Sequence, residues 1–233
     1  MVPIPIREKS VIFASRLSFA AFASRSTRYG DLLLSRRREV RLAPAEQEFF
    51  ATYPDTLHFV VIVAEDSPDT VAVLPVLARI AEAGPRFDLH IVPDGDGALR
   101  ADCQAALDLL GIQTEIDDLD LPLLLVFDEE WQLQEQWGPH PEAAAPYIDG
   151  WLERHPEYES LADDDAPEVQ EKTAALLYPL VHEMRIWYNS ELGAACAAEI
   201  RALLSRLQVE PIDDAGDDLP RIEDDPDGNT TKG

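Results

Sequence analysis

Cysteine is almost missing from this chain of 233 residues: Cys103 and Cys196 are the two present, far apart and in no paired motif. Their placement argues against a disulfide framework or a cysteine-built zinc site, and it points to a reducing, cytoplasmic setting. Basic residues are also scarce, with 19 Lys and Arg against 45 Asp and Glu, for a formal charge of −26. A surface of that sign repels phosphate backbones, so nucleic acid is not an expected partner. The longest apolar stretches, 57–64 and 121–127, fall far short of the ~20 residues a membrane-spanning helix needs. A soluble protein without a membrane partner is expected.

Several chemical motifs are missing as well. No phosphate-cradling G-x-x-x-x-G-K and no nucleophile elbow G-x-S-x-G occur. His182-Glu183 opens like a zinc-protease motif, but Ile186 stands where the second imidazole is needed. Asp94-Gly95-Asp96-Gly97 is similar to the start of a calcium loop, yet no acid follows at the closing position. It also lacks the third glycine of a dinucleotide fingerprint. No cofactor and no metal are expected from spacing of this kind.

What is present is a core. Hydrophobic residues make up 46% of the chain, enough for a real core, and the length suits one domain with extensions or two small ones. The charge is unevenly spread: residues 1–41 carry nine basic side chains against three acidic ones, whereas the remainder carries 10 against 42. An Arg- and Ser-rich start can mimic an organelle transit peptide. The preferred reading is a basic helical segment docked on an acidic body.

Residues 11–24 have helix-compatible composition, with Ile12, Leu17, Phe19 and Phe22 as buried positions. Residues 42–53 form a second short helix, because Pro44 suits a first turn and Glu46 and Glu48 favour the positive end of the helix dipole. Leu57 to Val63 is nearly all apolar and β-branched, as expected of a central strand covered on both faces. Ser67-Pro68-Asp69-Thr70 is a helix start, with a capping Ser, Pro at the first position and an acid in the first turn. Val73, Leu74, Leu77 and Ile80 give that helix its buried stripe, and Gly84-Pro85 stops it.

Residues 87–92 make a second strand, parallel to the first across a right-handed crossover. Residues 98–110 read as a helix, 122–127 as a third strand and 131–137 as a fourth. Asp128-Glu129-Glu130 is short enough for a hairpin, so the last two strands are antiparallel. A helix over 142–152 completes a β-α-β-α-β-β-α order. Residues 167–207 are helical again, with stripes at Leu177, Leu180, Val181, Met184 and Trp187, then at Ile200, Leu203, Leu204 and Leu207; Pro179 and Gly193 divide the segment. The run Asp163-Asp164-Asp165 reads as a solvated linker. The last 26 residues hold nine acids and two basic residues, the composition of a disordered tail. The domain division that follows is 1–55 as an N-terminal helical extension, 56–154 as the central domain, 155–207 as a C-terminal helical extension and 208–233 as the acidic tail.

This order of elements, together with particular residues, resembles a bacterial thioredoxin-like family. The residues are Glu65-Asp66 after the first strand, Leu74-Pro75-Val76-Leu77-Ala78 in the first helix, Leu121-Pro122 before the third strand, Trp137-Gly138-Pro139-His140-Pro141 after the fourth and Trp187-Tyr188-Asn189 near the end. The resemblance implies an α/β thioredoxin-like fold with helical extensions at both ends. It also implies a redox site at the start of the first helix, where family members carry Trp-Cys-Gly-Asp. This chain departs there: the Trp and the Cys are absent, and Ser67-Pro68-Asp69 stands in their place.

Disulfide exchange needs a thiolate, which a serine hydroxyl cannot supply. Glu65, Asp66, Ser67, Pro68, Asp69 and Thr70 are therefore a degenerate redox site, and no catalytic residue is assigned. The expected protein is a redox-inactive or atypical thioredoxin-fold binding module for a peptide or protein partner. Leu121, Pro122 and Trp137 are its candidate peptide-binding residues, because the resemblance implies a cis proline at Pro122 that exposes the preceding backbone. Trp131, Tyr147 and Trp151 could extend such a groove, or could equally be core.

Two alternatives stay open. Cys103 could be a displaced redox thiol of an active oxidoreductase; Cys196, among alanines, reads as packing. The chain is also similar to a glutathione transferase, in which a serine at the start of the first helix, here Ser67, steadies the glutathione thiolate. Gln136-Trp137 departs from that pattern, standing where an acid-Ser pair is needed.

Overall fold

The computed structural model describes residues 16–95, 98–109, 112, 116–162 and 166–208. Ile12, Asp96, Gly97, the 163–165 acidic run and the tail from 209 onward lie outside the described residues. The elements are α1 (Phe19–Arg25), α2 (Gly30–Glu39), α3 (Pro44–Ala51), β1 (Leu57–Val63), α4 (Pro68–Ala83), β2 (Phe87–Pro93), α5 (Ala98–Leu109), β3 (Leu123–Phe127), β4 (Leu133–Trp137), α6 (Ala145–Arg154), α7 (Glu157–Ala162), α8 (Pro167–Trp187) and α9 (Gly193–Leu207).

The described strands form one sheet in the order β2-β1-β3-β4. β1 runs parallel to β2, with Leu57 opposite Phe87, and antiparallel to β3, with Val60 opposite Leu125. β3 and β4 are antiparallel, with a register shift between Val126 and Phe127. Because side chains alternate across a strand, β1 supplies two cores. Phe59, Val61 and Val63 join Leu124 and Val126 beneath α4, where Val73, Leu74 and Leu77 pack together with residues of α1, α2, α3 and α9. Val60 and Ile62 face the other way, with Val92, Leu125, Phe127, Cys103, Leu107, Ile116 and Trp131. Burial on both faces accounts for the unbroken apolar run of β1.

Differences from the sequence reading have local causes. The first helix starts later than expected, at Phe19, because Ser18 caps it by accepting a hydrogen bond from Ala21 N–H at 3.2 Å. Leu17 is extended instead and exchanges two backbone hydrogen bonds with Ile91, at 2.8 and 3.1 Å, covering part of the outer edge of β2. α2 was not anticipated, since three adjacent leucines followed by a charged run give no helical period. β4 starts at Leu133, so the hairpin turn is longer than three residues, and Trp131 sits in it with φ 64°. Pro179 lies within α8 without dividing it; the break falls at Tyr188–Leu192, a π-helical turn.

The basic N-terminal helices dock through specific contacts. Arg36, fully buried, sends its guanidinium to the carbonyls of Ala72 in α4 and Arg185 in α8, both at 3.2 Å. No helix among the described residues is long and apolar enough to cross a membrane.

Candidate functional site

The segment after β1 carries the residues that the sequence marks as a degenerate redox site. Ser67 is the N-cap of α4; its Oγ accepts from Asp69 N–H at 3.2 Å. Pro68 occupies the first helical position and is buried. Glu65 points away into an ion pair with Arg25 Nε at 2.8 Å, which ties the end of β1 to the end of α1. Asp66 is exposed, and Thr70 is fully buried with its Oγ1 unpartnered among the described residues.

Asp69 is half-buried, and its Oδ1 is enclosed with no hydrogen-bond partner among the described residues. Loss of solvent pushes its pKa up to about 6, against the pull of nearby His140 and of its own backbone N–H. Asp69 lines a cavity of about 310 Å³ together with Asp66, Ser67 and Pro68. The rest of the wall comes from outside the β-α-β-α-β-β order: Ile148, Trp151 and Leu152 of α6, Tyr158 of α7, and Leu177, Leu180 and Met184 of α8. The Tyr158 hydroxyl is held above its ordinary pKa, first by burial and then by the charge of Asp69. An acceptor at the mouth of a helix thus faces an apolar wall, an arrangement that can orient a small ligand by one polar group.

Of the residues marked for a peptide groove, Trp151 lines this cavity, whereas Leu121, Pro122, Trp131, Trp137 and Tyr147 do not. Leu121-Pro122 is a cis peptide, as is Gly138-Pro139. The two segments touch: at Gly138, φ is +140°, and a Cβ there would lie 2.2 Å from the Pro122 carbonyl oxygen, so no larger residue fits. Leu121 packs, half-buried, on the α5 face of the sheet, and Pro122 is buried. Trp137 donates its indole N–H to Glu199 of α9 at 2.8 Å. The four aromatics do not form one groove. Trp151 lines the cavity, Tyr147 packs against Trp187 at 5.2 Å, and Trp131 lies on the opposite face of the sheet, stacked on His58.

Both thiols are completely buried, Cys103 under the α5 face and Cys196 in the core under α4, so the sheet separates them. Burial raises the Cys196 pKa well above the ordinary thiol range. A second constellation that sequence reasoning missed lies at the opposite end of β1. There His58, Asp88 and His90 bring three ligand-type atoms within 4.8 Å of one another. The signal for it is the parallel register of β1 and β2, which no spacing motif contains.

A family model described as thioredoxin matches residues 16–152, and the chain belongs to that family. Among solved structures, it is similar to a protein of unknown function from Pseudomonas aeruginosa, with a TM-score of 0.53 and 18% identity over 84% of this chain and 96% of that one. It is similar also to an HIV epitope-scaffold, with a TM-score of 0.52 and 16% identity over 85% of this chain and 97% of the other. At these identities the likeness concerns the fold alone. No curated protein of established function matches the chain.

Proposed function

We propose that this thioredoxin-family protein is a redox-silent binding module that takes a small ligand at the start of α4. The observation that carries the reading is the Asp69 cavity: an enclosed carboxylate oxygen, with no donor among the described residues, faces an apolar wall where relatives are expected to present a thiol. Ser67 supports it, since its oxygen is engaged in capping the helix. The burial of both thiols supports it further, because exchange needs an accessible thiolate. A volume of about 310 Å³ suits a small molecule better than an extended peptide. The ligand class that complements the cavity is an apolar or aromatic body bearing one hydrogen-bond donor, such as an amine. On this reading the protein is cytoplasmic and carries out no thiol-disulfide exchange.

The test runs three assays on the full chain. Insulin reduction with dithiothreitol should show no turnover above background, and glutathione conjugation should be absent. A thermal-shift series of arylalkylamines and their hydrocarbon counterparts should favour the amines, and Asp69→Asn should remove that preference. Turnover that disappears in Cys103→Ser would establish a thiol-disulfide oxidoreductase instead. Conjugation that disappears in Ser67→Ala would establish a glutathione transferase.

A further inference from the structure

We propose that His58, Asp88 and His90 form a binding site for a divalent transition-metal ion of the zinc class. It stands apart from the Asp69 cavity: His58 lies near the start of β1, whereas the cavity opens beyond that strand's other end.

The placement follows from strand geometry. His58 is the register partner of Asp88, and His90 lies two residues further along β2, so alternation puts all three side chains on the same face of the sheet. His58 Nδ1 and Asp88 Oδ2 are 3.6 Å apart, and the ligand atoms of all three residues lie within 4.8 Å of one another. Two imidazole nitrogens and a carboxylate oxygen bound tetrahedrally at ~2.0–2.2 Å from zinc lie about 3.3–3.6 Å from one another, so the His58–Asp88 pair already has the spacing and the wider separation has to close by roughly 1 Å. Rotation of the side chains is the movement the site asks of the protein. An N₂O donor set is one that zinc, cobalt, nickel and copper accept, whereas calcium and magnesium prefer oxygen alone.

The surroundings fit a built site. The His58 ring is stacked on Trp131 with centroids 4.1 Å apart and an interplanar angle of 14°, and His90 lies 5.6 Å from the same indole. Trp131 holds these contacts from φ 64°, the left-handed region, where a bulky residue is an outlier among the described non-glycine residues. The indole restricts both imidazoles, as an outer contact does around a metal ligand. Asp88, with 64% of its side chain exposed, leaves a route in from solvent, while His58 and His90 are mostly enclosed. Arg16 lies along the same cleft beside Asp88 and His90. Its positive charge opposes a bare dication and favours an anionic group or hydroxide at the remaining coordination position.

The experiment uses the full chain without an affinity tag, stripped with a chelator and titrated with Co²⁺ while the histidine side-chain resonances are followed by NMR. Saturable binding of one equivalent should broaden His58 and His90 ahead of His140, His155 and His182. Zn²⁺ should displace the cobalt. Asp88→Asn, at a largely exposed side chain, should weaken binding tenfold or more, as should His58→Gln. Uniform broadening of all five histidines would overturn the proposal, because it would mean diffuse binding to the acidic surface. So would an affinity unchanged in both variants.

Discussion

Trp137 and Glu199 are joined by a 2.8 Å hydrogen bond from the indole Nε1–H to the carboxylate Oε2, and Oε1 of the same carboxylate accepts from Glu142 N–H at 2.9 Å. One acid on α9 thus fixes both the exit of the β3-β4 hairpin and the first turn after it. Glu199→Ala should cost about 1–3 kcal/mol of stability, the loss of two hydrogen bonds to a charged acceptor. In urea unfolding, a double-mutant cycle with Trp137→Phe should show coupling, since either change removes the same bond. Strict additivity would mean that the pair contributes nothing.

Arg36 is a buried charge that makes no direct ion pair among the described residues; it is held by the carbonyls of Ala72 and Arg185, feels the charge of Glu39 and lies over the Tyr188 ring at 5.9 Å. Burial lowers its pKa to about 10, so it stays protonated at neutral pH. Arg36→Ala should destabilise by about 3 kcal/mol or more, because it empties a large core volume and removes two hydrogen bonds made by a charged donor. Arg36→Met, which restores much of the volume, should cost less. Chemical denaturation midpoints at constant slope would rank the two.

Glu39, three residues further along α2, accepts from Arg185 Nε at 3.0 Å, with a second contact from the same guanidinium, and from Asn189 and Ser35, each at 3.0 Å. The Arg185 hydrogen bonds are the main reason its pKa falls from 4.5 to about 2. A depressed carboxylate pKa stabilises the fold above the unfolded value, and this stability is lost as pH falls through the folded one. Glu39→Gln should therefore cost about 1–2 kcal/mol at pH 7, a figure discounted for the partial exposure of the pair. The difference from wild type should shrink between pH 4.5 and 2.

Asp69 has the opposite sign. Its folded pKa is raised from 3.8 to about 6, so the folded state binds the extra proton in that window and the ionised form burdens the fold at neutral pH. Asp69→Asn should raise stability at pH 7.5 by about 1–2 kcal/mol, a gain that fades as pH falls through that window. Thermal melts at both ends of the range decide it. A gain in stability accompanied by loss of amine preference would mark Asp69 as a residue kept at a cost for binding.

The sequence by itself determined the order of elements along the chain, the limits of β1 and α4 and the lack of a cysteine at the start of that helix. Each depends on local chemistry: an apolar β-branched run, a Ser-Pro-Asp helix start, and a missing thiol. It did not reveal α2, whose leucines are contiguous and whose burial depends on Arg36 reaching carbonyls on two distant helices. Tertiary structure alone decided which residues complete the candidate sites. The wall opposite Asp69 comes from α6, α7 and α8, and the His58-Asp88-His90 cluster exists because a parallel register aligns two strands separated by the whole of α4. Periodicity reports which face of an element is buried. It carries no information on which distant face will meet it, because that is fixed by how the elements close around a shared core.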